Sequence, residues 1–154
     1  MRHYLLAALA VAMAEPAVAQ VIEPCDGPNG FAADLRNIVE PLESATRVYA
    51  NGAIRVLHVD TLGEPVCCSS HLVILAPDPE DPLGGRLCVL LSDAPGSGFL
   101  DVSVPDMSAS YDPARGLLIE VPVDRYDGVQ GADPARAERV RVRVNQQTGV
   151  VAVE

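Results

Sequence analysis

The chain has 154 residues, a formal net charge of −10, 49% apolar residues and 21% charged residues. That length suits one globular core; the composition is too apolar for wholesale disorder and the charge is wrong for nucleic-acid phosphates. No apolar run of 20 residues follows the N-terminus, so several membrane-spanning helices are excluded.

The first segment reads as an export signal. Met1-Arg2-His3 give a positive start, and Tyr4 to Ala14 form an apolar core too short to span a bilayer. Glu15-Pro16 break that core, and Ala17-Val18-Ala19 supply the small-x-small pattern of a cleavage site. Residues 1–19 are therefore expected to be removed, leaving 20–154 as one domain with no integral membrane segment. Cys25 follows Val21-Ile22-Glu23-Pro24, which lacks the small apolar lipobox of lipid-anchored proteins, so a soluble product is expected. All eleven basic residues are Arg, a usage typical of GC-rich bacterial genomes. The expected location is periplasmic or secreted, where four cysteines favour disulfides over thiolate chemistry.

Gln20 to Gly30 reads as an extended arm. Phe31, Leu35, Ile38, Val39 and Leu42 recur at helical spacing, which predicts a helix over Phe31–Leu42, capped by Asn29 and stopped by Pro41. Strands follow. Arg47–Ala50 and Ala53–Thr61 flank Asn51-Gly52, a strong hairpin signal. A turn at 62–65 leads into Val66–Leu75, and a proline-rich acidic loop leads to Arg86–Leu91. Phe99–Val104 comes next. Ser108–Tyr111 and Leu117–Val121 flank a turn at 112–116, and Pro122 predicts a sheet edge. Val140, Val142 and Val144 alternate with Arg139, Arg141 and Arg143, a half-buried strand that turns at 145–149 into Val150–Val153. The expected fold is α+β or mainly β: one N-terminal helix packed on a curled antiparallel sheet or small sandwich of about seven to nine short strands.

Val140 to Asn145, followed by Thr148-Gly149-Val150-Val151, resembles the closing hairpin of periplasmic PepSY-type domains. Those also end in an alternating strand, an Asn or Asp, a Thr-Gly and a final strand. The likeness covers residues 140–151 alone, and the other strands do not follow the PepSY order.

Cys67 and Cys68 are adjacent, so on a strand they point to opposite faces and serve different partners. Four cysteines allow three pairings. If Arg86–Leu91 folds straight back on Val66–Leu75, Cys88 falls near Ile74, about 20 Å along the strand from Cys68. A disulfide needs Cα atoms about 4.4–6.8 Å apart. The expected arrangement is therefore two structural disulfides, Cys25 and Cys88 each taking one of Cys67 and Cys68, with strands that are not hairpin partners. The remaining pairing, Cys25 to Cys88, would make Cys67–Cys68 the candidate for function. With His71 three residues on, that pair could form a thiol-redox or metal site, although the spacing is not C-x-x-C.

A two-residue Gly63-Glu64 turn would set His58 opposite Ser69 and gather His58, Asp60, Cys67, Ser69 and His71 on one face, the ingredients of a hydrolase. A three-residue loop would scatter them. No nucleophile-elbow or phosphate-cradling motif accompanies them, so no catalytic residue, metal or cofactor is assigned. The Arg139, Arg141 and Arg143 stripe could receive an anionic partner. The function expected is a non-enzymatic binding or accessory module for a periplasmic or extracellular protein. The alternatives are a metal or thiol-redox protein using Cys67, Cys68 and His71, and a hydrolase using the His58, Asp60 and Ser69 face.

Overall fold

A computed structural model describes residues 20–62, 67–126, 128 and 137–154. The expected signal segment, residues 1–19, lies outside the described residues, as does most of the turn at 62–65. Among the described residues, ten strands form two antiparallel sheets. The first has the order β1 (Val21–Pro24), β5 (Arg86–Ser92), β4 (Ser70–Pro77), β3 (Ile54–Asp60), β2 (Thr46–Tyr49). The second runs β10 (Val150–Val153), β9 (Glu138–Asn145), β8 (Gly116–Asp124), β6 (Asp101–Val102), with β7 (Ser108–Asp112) also paired to β8.

The sheets face each other across one core. Ile54, Val56, Leu72, Ile74 and Leu91 come from the first, and Ile119, Val121, Val140 and Val142 from the second. Phe99, fully buried, crosses between them. The residues that β3, β8 and β9 give to this core are every second one, as the pleat requires. β4 departs from that rhythm. Its run Leu72-Val73-Ile74-Leu75-Ala76 is apolar on both faces because both faces are covered: Leu72 and Ile74 by the second sheet, Val73 by a smaller cluster with Ala32, Val59 and Leu90.

The cover over that outer face is the segment expected to be a helix, and it is not one. Residues Gly30–Ala33 and Leu35–Asn37 make two 3-10 turns separated by an extended Asp34 (φ −64°, ψ 139°). The Asp34 carboxylate accepts from the Arg36 N–H at 2.9 Å, a local bond that competes with helix propagation. Ile38 is drawn into a bridge with Val59, and the Val39 N–H donates to the His58 carbonyl at 3.2 Å. Among the described residues the α-helix that does form, α1 (Leu42–Ala45), is a single turn. Ala32, Ala33 and Ile38 pack into the cluster, while Phe31 and Leu35 are 66% and 81% exposed.

Pro122 does not mark an edge strand, because β8 is central. Its carbonyl accepts from the Ser103 N–H at 3.0 Å. In a strand, N–H and C=O of one residue point the same way. The N–H that proline lacks therefore faces the break between β6, paired at Val123 and Asp124, and β7, paired up to Glu120. The turns at 51–52, 112–116 and 145–149 form as expected. Asn51 and Gly52 close the β2–β3 hairpin with φ of 54° and 92°, and Gly149 (φ 71°) closes β9–β10.

Candidate functional site

Cys25 continues from β1 and Cys88 lies on its partner β5. The Cys25 N–H donates to the Cys88 carbonyl at 3.0 Å, and a disulfide joins the two with Cα atoms 5.4 Å apart. This corrects the expected pairing. β4 and β5 are hairpin partners after all, with Cys88 opposite Leu75, so Cys88 stands far along the strand from Cys68. Cys67 and Cys68 are bonded to each other. The two bonds differ in what they constrain. Cross-linking residues 63 apart removes loop entropy worth about 4 kcal/mol on the chain-entropy scale. Cross-linking neighbours removes roughly 1 kcal/mol.

The vicinal pair lines a cleft of about 550 Å³ on the outer side of the first sheet. Three segments wall it. The 3-10 turns bring Asn29, Phe31, Arg36 and Asn37; the approach to β4 brings Cys67, Cys68 and Ser69; the turn after β5 brings Gly96 and Ser97. Thr61 and His71 complete it from the sheet. Arg36 is oriented by Asp34, whose carboxylate accepts from its guanidinium at 3.0 and 3.1 Å, which holds the Asp34 carboxyl below its ordinary range.

His71 is buried, and its Nδ1 lies 2.8 Å from Ser92 Oγ. Burial pushes the ring's proton affinity down, against a weaker opposite pull from Asp60 and Glu23. Its other nitrogen meets Gly98. A Cβ placed on Gly98 would stand 2.9 Å from His71 Nε2, 2.8 Å from the Cys68 carbonyl oxygen and 2.5 Å from the Ser70 carbonyl oxygen. The Gly98 N–H donates to the Cys68 carbonyl at 2.7 Å. Only a residue without a side chain lets the strand leading to Phe99 pass this close to the start of β4.

The expected gathering on one strand face does not occur. The β3–β4 register sets Asp60 opposite Ser70, Val59 opposite His71 and His58 opposite Leu72. His58 and Asp60 therefore share the inner face, while His71 lies on the outer one. Ser69 lines the cleft with His71; the serine beside His58 is Ser70, its Oγ 3.2 Å from Nε2. Both members of this pair are buried, His58 to 8% exposure and Ser70 to 3%. Burial lowers the His58 proton affinity, opposed by the Asp101 and Asp60 charges. Among the described residues no group of three or more His, Cys, Asp or Glu side chains is arranged to hold a metal ion.

The arginine stripe lies on the outer face of the second sheet. Arg143 holds Glu154 at 3.0 Å, and Arg141 stands 3.7 Å from Glu154 and 3.9 Å from Glu120. The hydrogen bond from Arg143 keeps the Glu154 carboxyl ionised to lower pH than usual, with Arg115 also in contact. Arg139 faces a different hollow, of about 380 Å³, with Asp101, Asp106 and Asp124.

Sequence reading found Cys67, Cys68, Ser69 and His71 but missed Asn29, Phe31, Arg36, Asn37, Ser97 and Gly98. These come from two segments, 29–37 and 97–98, with no shared motif. Gly96-Ser97-Gly98 carried the one available signal, a glycine-rich turn before an apolar residue. Set against known protein families, curated proteins and solved structures, the chain matches none of them.

Proposed function

We propose that this chain is a binding module of an oxidising, extracytoplasmic compartment, whose outer-face cleft seats a segment of a protein partner. The observation that carries the reading is the cleft with Phe31 and Arg36 on its rim. Aromatic residues and arginine are the side chains enriched at protein interfaces, and Phe31 is 66% exposed beside Leu35 at 81%. Amide and hydroxyl groups from Asn29, Thr61, Ser69 and Ser97 suit the polar backbone of a peptide. Two disulfides, together with the absence among the described residues of a helix long and apolar enough to cross a membrane, are compatible with that compartment.

A photo-crosslinking residue at Ser97, in cells of the source organism, tests the reading. It should give an adduct of defined mass that Phe31→Glu abolishes and that the same crosslinker at Val150 does not give. Equal adducts from both positions would sink it. The thiol-redox alternative is favoured by one observation, the bonding of Cys67 to Cys68 within the cleft wall. The metal alternative is not favoured, since both sulfurs are bonded to each other.

A further inference from the structure

We infer that Cys67–Cys68 is a thiol–disulfide exchange site, and that the partner seated in the cleft is a dithiol protein. The inference rests on the binding reading and names its partner by chemistry.

Three observations carry it. The Cys25–Cys88 bond already ties the N-terminal arm to the sheet, so the vicinal bond is not needed to close the fold. All four cysteines are half-buried, but Cys25 and Cys88 pack against the apolar cluster of Ala32, Val73 and Leu90, surroundings that disfavour an approaching thiolate. Cys67 and Cys68 instead line an open cleft of amides and hydroxyls with the Arg36 guanidinium at its rim. A polar setting open to solvent gives a partner's thiolate access to the sulfurs without stripping its hydration.

The step balances. A thiolate of the partner attacks one sulfur of the pair, its S–S bond breaks, and the released cysteine thiolate takes a proton from solvent. The partner's second thiol, losing its proton to solvent, attacks the mixed disulfide and frees the other cysteine, which takes up a proton in turn. Two electrons pass from the partner to the pair; the partner leaves as a disulfide, and Cys67 and Cys68 leave as thiols.

Two probes test this on the full oxidised chain under native conditions. In graded dithiothreitol, followed by acid quench and maleimide labelling, Cys67 and Cys68 should each take one label at about tenfold lower reductant than Cys25 and Cys88, with an unchanged far-UV spectrum. Thioredoxin with its second cysteine replaced by serine should be trapped as a one-to-one mixed disulfide through Cys67 or Cys68. The double variant Cys67→Ser/Cys68→Ser should give no trap. Labelling of all four cysteines together, labelling of the vicinal pair only on unfolding, or no trapped disulfide would overturn the inference. A Ser97 adduct that persists without any trapped disulfide would overturn the exchange and leave the binding reading standing. Loss of the Ser97 adduct would remove the binding reading itself. The dithiothreitol map needs no substitution, so a misfolded variant does not shield the inference.

Discussion

Cys25–Cys88 joins residues 63 apart, whereas Cys67–Cys68 joins neighbours. The first fastens the arm beside β5 and sits against the apolar cluster on the outer face of the sheet. The second contributes little chain entropy and lines a polar cleft on that side. Cysteines alike in sequence are thus divided by topology into a long-range tie and a bonded pair that lines a cleft. The division follows from register: once β4 and β5 pair with Cys88 opposite Leu75, Cys88 reaches Cys25 and not the start of β4.

Removing the tie should have the largest effect. Cys25→Ser with Cys88→Ser is expected to lower unfolding stability by about 4 kcal/mol, read as a fall in urea midpoint at constant slope. A fall no larger than that of the vicinal variant would erase the distinction. Gly98→Ala comes next. Two of the three atoms its Cβ would meet are backbone oxygens, so the chain itself must shift, at about 1–3 kcal/mol in the same titration. Its reactivity toward dithiothreitol should also change at Cys67–Cys68 and stay constant at Cys25–Cys88. Breaking the vicinal bond with Cys67→Ser/Cys68→Ser should cost the least stability, roughly 1 kcal/mol or less, while abolishing exchange.

Acid sharpens the same contrast between structure and site. His58 and His71 are both buried, and both folded rings hold protons less well than their ordinary value near 6.5. Just below pH 6.5 the unfolded chain therefore binds more protons, and stability falls as pH falls through that window until the folded rings protonate too. Urea midpoints should drop between pH 7.5 and 5.5. His58→Gln, which keeps a polar group beside Ser70, should flatten part of that drop; an unchanged slope would show that the ring is not its source.

Local chemistry was legible and long-range register was not. The turns at Asn51-Gly52, 112–116 and Gly149 are written in residues that tolerate left-handed backbone, and the Val140, Val142, Val144 alternation states which face of β9 is buried. The Phe31–Leu42 periodicity misled because Asp34 offers its carboxylate to the Arg36 N–H and Ile38 pairs with Val59, contacts that propensity cannot weigh. The His58 and Ser69 gathering failed on register. The Thr61 N–H donates to Ser69 at 3.1 Å, so the β3–β4 connection is longer than two residues and the partners move. Arg36, Ser97 and Gly98 reach the cleft from segments that only tertiary folding brings together.

The division of the cysteines is tested most directly by digesting the native, unreduced protein at arginine. Residues 56–86 form one peptide that contains both Cys67 and Cys68. The expected result is that this peptide runs alone with its internal bond intact, while the peptides holding Cys25 and Cys88 run as a linked pair. A single species joining all three peptides would contradict it, returning Cys67 and Cys68 to a structural role and removing the basis for exchange at the cleft.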